Sequence, residues 1–121
     1  MITIIDYKAG NLTSVQRALN HLGIENQISK DPDVIRKAEW VIFPGVGAAA
    51  SAMETLKERN LDSALKESFE CGTPILGICL GSQIILSMSE EDGNTPGLGI
   101  LPGRAAKFKF TDETLKIPHM G

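Results

Sequence analysis

Residues 73–83, with the sequence TPILGICLGSQ, join a short apolar run to the start of an amphipathic stretch. The apolar run predicts a buried strand, and the pattern from Leu80 to about Ser87 predicts a helix. At the junction, Gly77, Cys79 and Gly81 form the Gly-x-Cys-x-Gly pattern of a nucleophile elbow in which cysteine replaces serine. The stretch therefore indicates an α/β fold with a reactive side chain where a strand turns into a helix.

The elbow gives Cys79 the features that a thiol nucleophile needs. The sharp turn lifts the sulfur above the sheet, and the flanking glycines relieve crowding. The start of the next helix favours a thiolate through its dipole, and the N–H of Leu80 is expected to face a reacting oxygen. The alternative is a small buried cysteine at a tight turn, which the paired glycines and the strand–helix context disfavour. Cys71 lacks such flanks and is predicted to be structural or incidental.

Short apolar runs alternate with amphipathic stretches along the chain, which predicts βαβ units and a three-layer α/β fold with a mostly parallel sheet. The predicted strands are 1–6, 24–28, 39–43, 73–78, 104–110 and 113–117, the last two forming a possible hairpin around Thr111 and Asp112. The predicted helices are 12–22, 32–38, 48–59, 61–69 and 80–87, and 90–97 is a predicted polar loop. Three of the helices have predicted apolar faces: Leu12, Val15, Leu19 and Leu22 in the first, Ala49, Ala52, Met53 and Leu56 in the third, and Leu61, Ala64, Leu65 and Phe69 in the fourth.

The composition is that of a single globular domain covering residues 1–121. With 42% hydrophobic and 22% charged residues, the chain is not expected to be disordered, collagen-like or a disulfide scaffold. No apolar run approaches the roughly 20 residues that cross a bilayer, and residues 1–6 lack the features of a signal peptide. A net charge of −3 gives no basic footprint for nucleic acid or an anionic membrane. Two cysteines in such a chain predict the reducing cytoplasm.

A second glycine pattern, Pro44-Gly45-Val46-Gly47, follows the third predicted strand. With Ala50 it matches Gly-x-Gly-x-x-Ala, the start of a dinucleotide-binding fingerprint. That fingerprint expects an acidic residue at a strand end roughly 20 residues later, and here the acidic residues at that distance lie inside a predicted helix. The favoured interpretation is a mobile loop beside the elbow, in which Val46 or Gly47 supplies a second oxyanion N–H. A plain strand-to-helix turn is the remaining alternative.

Three further polar residues are candidates for the site. Gln83 lies one helical turn after Cys79, where it either orients a substrate amide or is an exposed helix residue. His21 is predicted to lie on the surface of the first helix. His119 lacks a carboxylate partner two or three residues on, so no Cys–His dyad is predicted. No Cys/His cluster has the spacing of metal ligands.

Five segments together resemble the class I, or triad, glutamine amidotransferases, and most closely the glutaminase subunits of imidazole glycerol phosphate synthases. The elbow alone indicates only the amidotransferase superfamily, and its combination with the glycine loop and the terminal segment narrows the resemblance. The five segments span nearly the whole chain: DYKAGN at 6–11, PGVG at 44–47, GICLGSQ at 77–83, GLGILPG at 97–103 and PHMG at 118–121.

The resemblance implies a flavodoxin-like class I glutamine amidotransferase fold and a glutaminase without a cofactor or metal. Cys79 would attack the side-chain amide of glutamine, ammonia would leave, and water would release glutamate from the thioester. Leu80 and the Val46–Gly47 peptide would hold the oxyanion, and Gly45 and Gln83 would contact the substrate.

The resemblance also implies a protein partner. Ammonia would pass to a (β/α)₈ cyclase subunit that closes an imidazole ring in histidine biosynthesis. Four residues would lie toward that cyclase: Asn11, Pro118, His119 and Met120.

The sequence also departs from the family pattern. Lys8 stands where glycine is frequent, and Ser82 where methionine is common. The family continues beyond this length with strands that carry a His-x-Glu pair, the general base and its orienting carboxylate. We therefore expect a C-terminally truncated chain that is not a competent glutaminase alone and that either self-associates across an exposed sheet edge or has a rearranged sheet.

Two alternatives to the glutaminase remain. One is a cysteine enzyme of the DJ-1/PfpI kind, which is disfavoured because Leu80 stands where those proteins often have histidine. The other is a non-catalytic flavodoxin-like binding fragment.

Overall fold

A computed structural model describes residues 1–8, 11–91, 93–109, 111 and 114. Through the first two-thirds of the chain helices alternate with strands, apart from two successive helices within residues 49–70, as the sequence predicts, and a strand-rich segment follows. The strands are β1 (Ile2–Ile5), β2 (Asn26–Ser29), β3 (Trp40–Phe43), β4 (Ile75–Gly77), β5 (Leu86–Ser89), β6 (Thr95–Pro96) and β7 (Leu101–Ala105). The helices are α1 (Leu12–His21), α2 (Pro32–Arg36), α3 (Ala49–Glu58), α4 (Leu61–Glu70) and α5 (Leu80–Ile84).

The main sheet has four parallel strands in the order β2-β1-β3-β4. Its two faces are covered by different helices, because neighbouring residues of a strand point to opposite sides. Ile4 and Ile42 pack with Leu19 of α1 on one face. Ile5 and Phe43 face a larger core, to which the other four helices contribute. The structure therefore confirms the three-layer α/β architecture with a parallel sheet.

A second, smaller sheet follows α5 and corrects the predicted length of that helix. The sequence predicts a helix to about Ser87, but α5 ends at Ile84 and a strand begins at Leu86. The carbonyls of Ile84 and Ile85 accept hydrogen bonds from Leu98 and Ile100, at 2.7 and 3.0 Å. These distant N–H groups stop the helix, since a continuing helix would use the same carbonyls. The new strand β5 pairs with β6 and β7.

Two predicted apolar faces also need correction. Leu22 follows the end of α1 and is 68% exposed. On α4 the buried stripe ends at Ser68, and Phe69 is 46% exposed because it lies one position beyond the stripe. The predicted strand 104–110 is observed as Leu101–Ala105. Of the predicted strand 113–117 and its hairpin, only Thr111 and Thr114 belong to the described residues, so this prediction is not tested.

Candidate active site

The elbow begins where β4 ends, and Cys79 has the strained backbone that the glycine pattern predicts. Its φ of 53° and ψ of −119° are unusual for a residue with a side chain. Hydrogen bonds fix the turn on both sides. The Ile78 N–H donates to the Phe43 carbonyl oxygen at 3.0 Å, and the Cys79 carbonyl oxygen accepts from the backbone N–H groups of Ser82 and Gln83. The surrounding ladder and helix therefore hold Cys79 in a conformation that it would not adopt alone.

The glycines around the elbow are required by close backbone approach. A Cβ on Gly81 would collide with the Phe43 carbonyl oxygen and lie 2.8 Å from its carbon. A Cβ on Gly77 would lie 2.9 Å from the Cα of Ser82. Neither glycine has a positive φ, so both are selected for space and not for conformational freedom.

The glycine loop lies beside the elbow, as the sequence predicts. The Leu80 N–H donates to the Gly45 carbonyl oxygen at 3.2 Å, so the loop and the start of α5 are in direct contact. Val46 and Gly47 are exposed, and Gly47 has a φ of 99°. A substrate oxyanion could bind the Leu80 N–H only by displacing the Gly45 carbonyl. The structure thus brings Gly45, Val46, Gly47, Cys79 and Leu80 to one place.

Two residues that the sequence analysis did not single out hold this loop. The Tyr7 hydroxyl donates to the Pro44 carbonyl oxygen at 2.5 Å, and the ring packs against Phe43 with centroids 5.2 Å apart. At the other end, the Ala49 N–H donates to a Glu91 carboxylate oxygen at 2.8 Å. Tyr7 could have been suspected from sequence, because a tyrosine directly after a buried strand needs a partner for its hydroxyl. No local pattern marks Glu91.

Three of the predicted site residues have side chains that are open to solvent. Cys79 is a free, exposed thiol, and Gln83 is exposed one turn later on α5. Asn11 is also exposed, and its side chain caps α1 by accepting from the Ser14 N–H at 3.3 Å. Pro118, His119 and Met120 lie outside the described residues.

His21 is exposed, as predicted, and lies far from the elbow. It ends α1 a few residues before β2 begins, so it lies at the amino ends of the parallel strands. Cys79 follows the carboxyl end of β4, at the opposite edge of the sheet. His21 is therefore not placed to serve as a base for Cys79.

Two groups have shifted pKa values, Tyr7 beside the glycine loop and Arg36 between α2 and α4. Burial raises the pKa of the Tyr7 hydroxyl well above its ordinary value of 10.0, so it remains a neutral donor. Between α2 and α4, the Arg36 guanidinium donates hydrogen bonds to the carboxylates of Glu67 and Asp33, and these bonds, the one to Glu67 first, raise the pKa of Arg36. This ion cluster lines a cleft of about 420 Å³ that includes none of the elbow residues.

Within the described ranges, no group of three or more His, Cys, Asp or Glu side chains is placed to hold a metal ion. The same part of the chain contains no helix that is long and apolar enough to cross a membrane.

The family model for class I glutamine amidotransferases matches residues 3–120. Curated relatives carry the name imidazole glycerol phosphate synthase subunit HisH. The one from Nitratidesulfovibrio vulgaris strain DP4 is 52% identical over 126 residues, and the one from Bacillus cereus strain G9842 is 49% identical over 121 residues. These matches cover 100% of this chain and 59% and 56% of the two relatives. The chain thus spans somewhat more than half the length of the relatives that it matches.

Solved structures support the same fold. A structure described as a glutamine amidotransferase superposes with a TM-score of 0.69 at 20% identity, covering 84% of this chain and 53% of the other. A putative peptidase E from Listeria monocytogenes EGD-e superposes with a TM-score of 0.60 at 19% identity, covering 72% and 50%. The fold is therefore the flavodoxin-like fold of class I glutamine amidotransferases.

Proposed function

The chain belongs to the class I glutamine amidotransferase family, and we propose that residues 1–121 form the nucleophile-bearing portion of a glutaminase domain. Its substrate is glutamine, and its products are glutamate and ammonia. The observation that carries the proposal is the strained, solvent-open Cys79 between two space-limited glycines, with the glycine loop against the start of α5.

The chemistry follows from the groups at the elbow. The Cys79 sulfur attacks the side-chain carbonyl of glutamine and forms the C–S bond, and the C–N bond breaks as the nitrogen takes up the proton that the thiol loses and leaves as ammonia. The glutamyl thioester is then hydrolysed by water, which restores the thiol. The Leu80 N–H stabilises the oxyanion once the Gly45 carbonyl releases it, and the Val46–Gly47 peptide supplies the second donor. Gly45 and Gln83 contact the substrate.

Among the described residues we assign no general base, since His21 lies at the edge of the sheet opposite to that of Cys79. We therefore expect the 121-residue chain to form a thioester slowly, if at all, and not to turn over as a glutaminase by itself. Release of ammonia from glutamine by the isolated chain at a rate of roughly 1 s⁻¹ or more, which is ordinary for an enzyme, would contradict this part of the proposal.

The ammonia is proposed to serve a (β/α)₈ cyclase subunit in the cytoplasm, because the curated relatives are named as synthase subunits. Asn11 and the segment Pro118–Met120 are proposed to face that subunit. The capping role of Asn11 suggests a matched test, in which Asn11→Asp keeps the cap and changes the contact surface. A cyclase titration that cannot distinguish Asn11→Asp from the unchanged chain would remove Asn11 from the interface.

One observation favours the alternative of a non-catalytic fragment. The Leu80 N–H already donates to the Gly45 carbonyl oxygen, so this donor is not free for an oxyanion. Leu76 in β4 and Ile78 directly after it, with side chains 58% and 37% exposed, form the proposed surface for self-association. Sedimentation of the chain as a monomer at high concentration would remove that surface from consideration.

Labelling with a glutamine-analogue chloroketone tests the main proposal. In this reaction the thiolate displaces chloride, and one adduct is counted by intact mass and located by peptide mapping, with and without cyclase. We expect modification of Cys79 and none of Cys71, with Cys71→Ser as the matched control that labels like the parent. Equal labelling of both cysteines, or of neither, would mean that the chain is a scaffold.

A further inference from the structure

Tyr7 directly follows β1 and is the single tyrosine of the chain. It is only 1% exposed and belongs to the larger core. A phenylalanine would fill nearly the same space, so packing alone does not explain the hydroxyl group. Burying a hydroxyl is unfavourable unless it is hydrogen-bonded, and its partner here is the Pro44 carbonyl of the glycine loop.

The loop is pressed against this hydroxyl. A Cβ on Gly45 would collide with the Tyr7 oxygen, so the Pro44–Gly45 corner lies in direct contact with it. The next carbonyl along the chain, that of Gly45, accepts from the Leu80 N–H at the elbow. Two successive carbonyls of the loop are therefore bound, the first by Tyr7 and the second by the start of α5.

These contacts divide the loop into a fixed part and an open part. Pro44 and Gly45 are buried, whereas Val46 and Gly47 are exposed. When an oxyanion displaces the Gly45 carbonyl from Leu80, the bond from Tyr7 to Pro44 still holds the corner beside the elbow. The rearrangement would then be confined to the exposed residues Val46 and Gly47, which carry the proposed second oxyanion donor.

Resting on the proposed glutaminase function, we propose that Tyr7 is a positioning residue that anchors the oxyanion loop through its hydroxyl. It touches neither substrate nor sulfur. Its role is specific to reactions that use the loop, and it does not determine whether Cys79 is accessible.

Two thiol reagents can distinguish anchoring of the oxyanion loop by Tyr7 from a general contribution of Tyr7 to the stability of the fold. A glutamine-analogue chloroketone places a carbonyl oxygen at the oxyanion donors, whereas methyl methanethiosulfonate transfers a methylthio group, releases methanesulfinate and has no carbonyl. Both rates are measured in a Cys71→Ser background, so that each belongs to Cys79. For Tyr7→Phe we expect the chloroketone rate to fall about tenfold, the size of a lost buried hydrogen bond, and the methanethiosulfonate rate to stay within twofold.

Ser68→Ala is the matched control. Ser68 is also a buried hydroxyl that donates to a backbone carbonyl, that of Ile35 at 3.2 Å, but it lies between α2 and α4. Its loss should leave the ratio of the two rates unchanged. A parallel fall of both rates in Tyr7→Phe, or no fall in either, would overturn the role of Tyr7.

Failure of the proposed function looks different, because then the parent chain itself is not labelled by the chloroketone, and the inference falls with it. Should Tyr7→Phe not fold, 3-fluorotyrosine provides a measurement on the unsubstituted chain, since a single tyrosine gives a single fluorine signal. Both adducts should leave that signal where it is in the unlabelled chain, because the bond from Tyr7 to Pro44 persists while the exposed part of the loop rearranges. A shift of the signal in the chloroketone adduct alone would show that the anchor itself moves and would overturn the proposal.

Discussion

The two cysteines are both free and exposed, yet the backbone treats them in opposite ways. At the end of α4, Cys71 has an ordinary helical φ of −77°, and Gly72 takes the positive φ of 83° that turns the chain. At the elbow, Cys79 itself takes the positive φ, and its glycine neighbours provide room for the backbone. Exposure therefore does not distinguish Cys79, the proposed nucleophile, from Cys71. The backbone does, because the positive φ belongs to the cysteine itself at the elbow and to the following glycine at the end of α4.

The largest expected difference concerns the glycines of the two regions. Gly81→Ala places a methyl group against the Phe43 backbone, and we expect a loss of about 3 kcal/mol in the free energy of unfolding. A Cβ at Gly72 would meet no atom within 4 Å. We therefore expect Gly72→Ala to lower the free energy of unfolding by only about 1 kcal/mol, because alanine disfavours the positive φ. Urea unfolding of both variants measures the difference. Equal losses would mean that the close approach at the elbow is absent.

The next comparison exchanges the cysteines themselves for glycine. Cys79→Gly should raise the free energy of unfolding by about 1–2 kcal/mol, because glycine accepts the φ of 53° without strain. Cys71→Gly should lower it by about 0.5–1 kcal/mol, because glycine is more flexible in the unfolded chain. Thermal unfolding monitored by circular dichroism shows whether each variant is more or less stable than the parent chain. Destabilisation by Cys79→Gly would show that the elbow is not strained.

The smallest effect compares the two buried hydroxyls, Tyr7 near the elbow and Ser68 near Cys71. Because burial raises the pKa of Tyr7 in the folded chain, the unfolded chain loses its proton first as the pH rises. The contribution of Tyr7 to the free energy of unfolding is therefore complete below the pKa of the unfolded chain, near 10. Above that pH it is lost, by about 1 kcal/mol between pH 10 and 11. Tyr7→Phe should remove this loss, and Ser68→Ala should retain it. Urea titrations at the two pH values decide the matter, and an unchanged loss in Tyr7→Phe would assign it to other groups.

The parts that could be predicted from sequence are those fixed by neighbours in the chain. The elbow was predictable because Gly77, Cys79 and Gly81 are close in sequence and form one recognisable pattern, although the backbone that requires glycine at position 81 is that of Phe43 on a neighbouring strand. The length of α5 was not, because the N–H groups that end it come from Leu98 and Ile100. The anchors of the glycine loop were missed for the same reason, since Tyr7 and Glu91 reach it from 37 and 42 residues away. The roles of Gln83 and Asn11 toward substrate and partner remain predictions.

The pairing of β4 with β3 has a consequence for the order in which the molecule assembles. Gly77 pairs with Phe43, and Ile42 pairs with Ile4, so the backbone of the elbow depends on contacts between three distant parts of the chain. Such parallel pairings form late, because long loops must close before they contribute stability. A chain that is still folding therefore has two chemically equivalent thiols. The backbone difference between Cys71 and Cys79 is expected to arise when β4 pairs with β3, so the selectivity of labelling would also report when that pairing is complete.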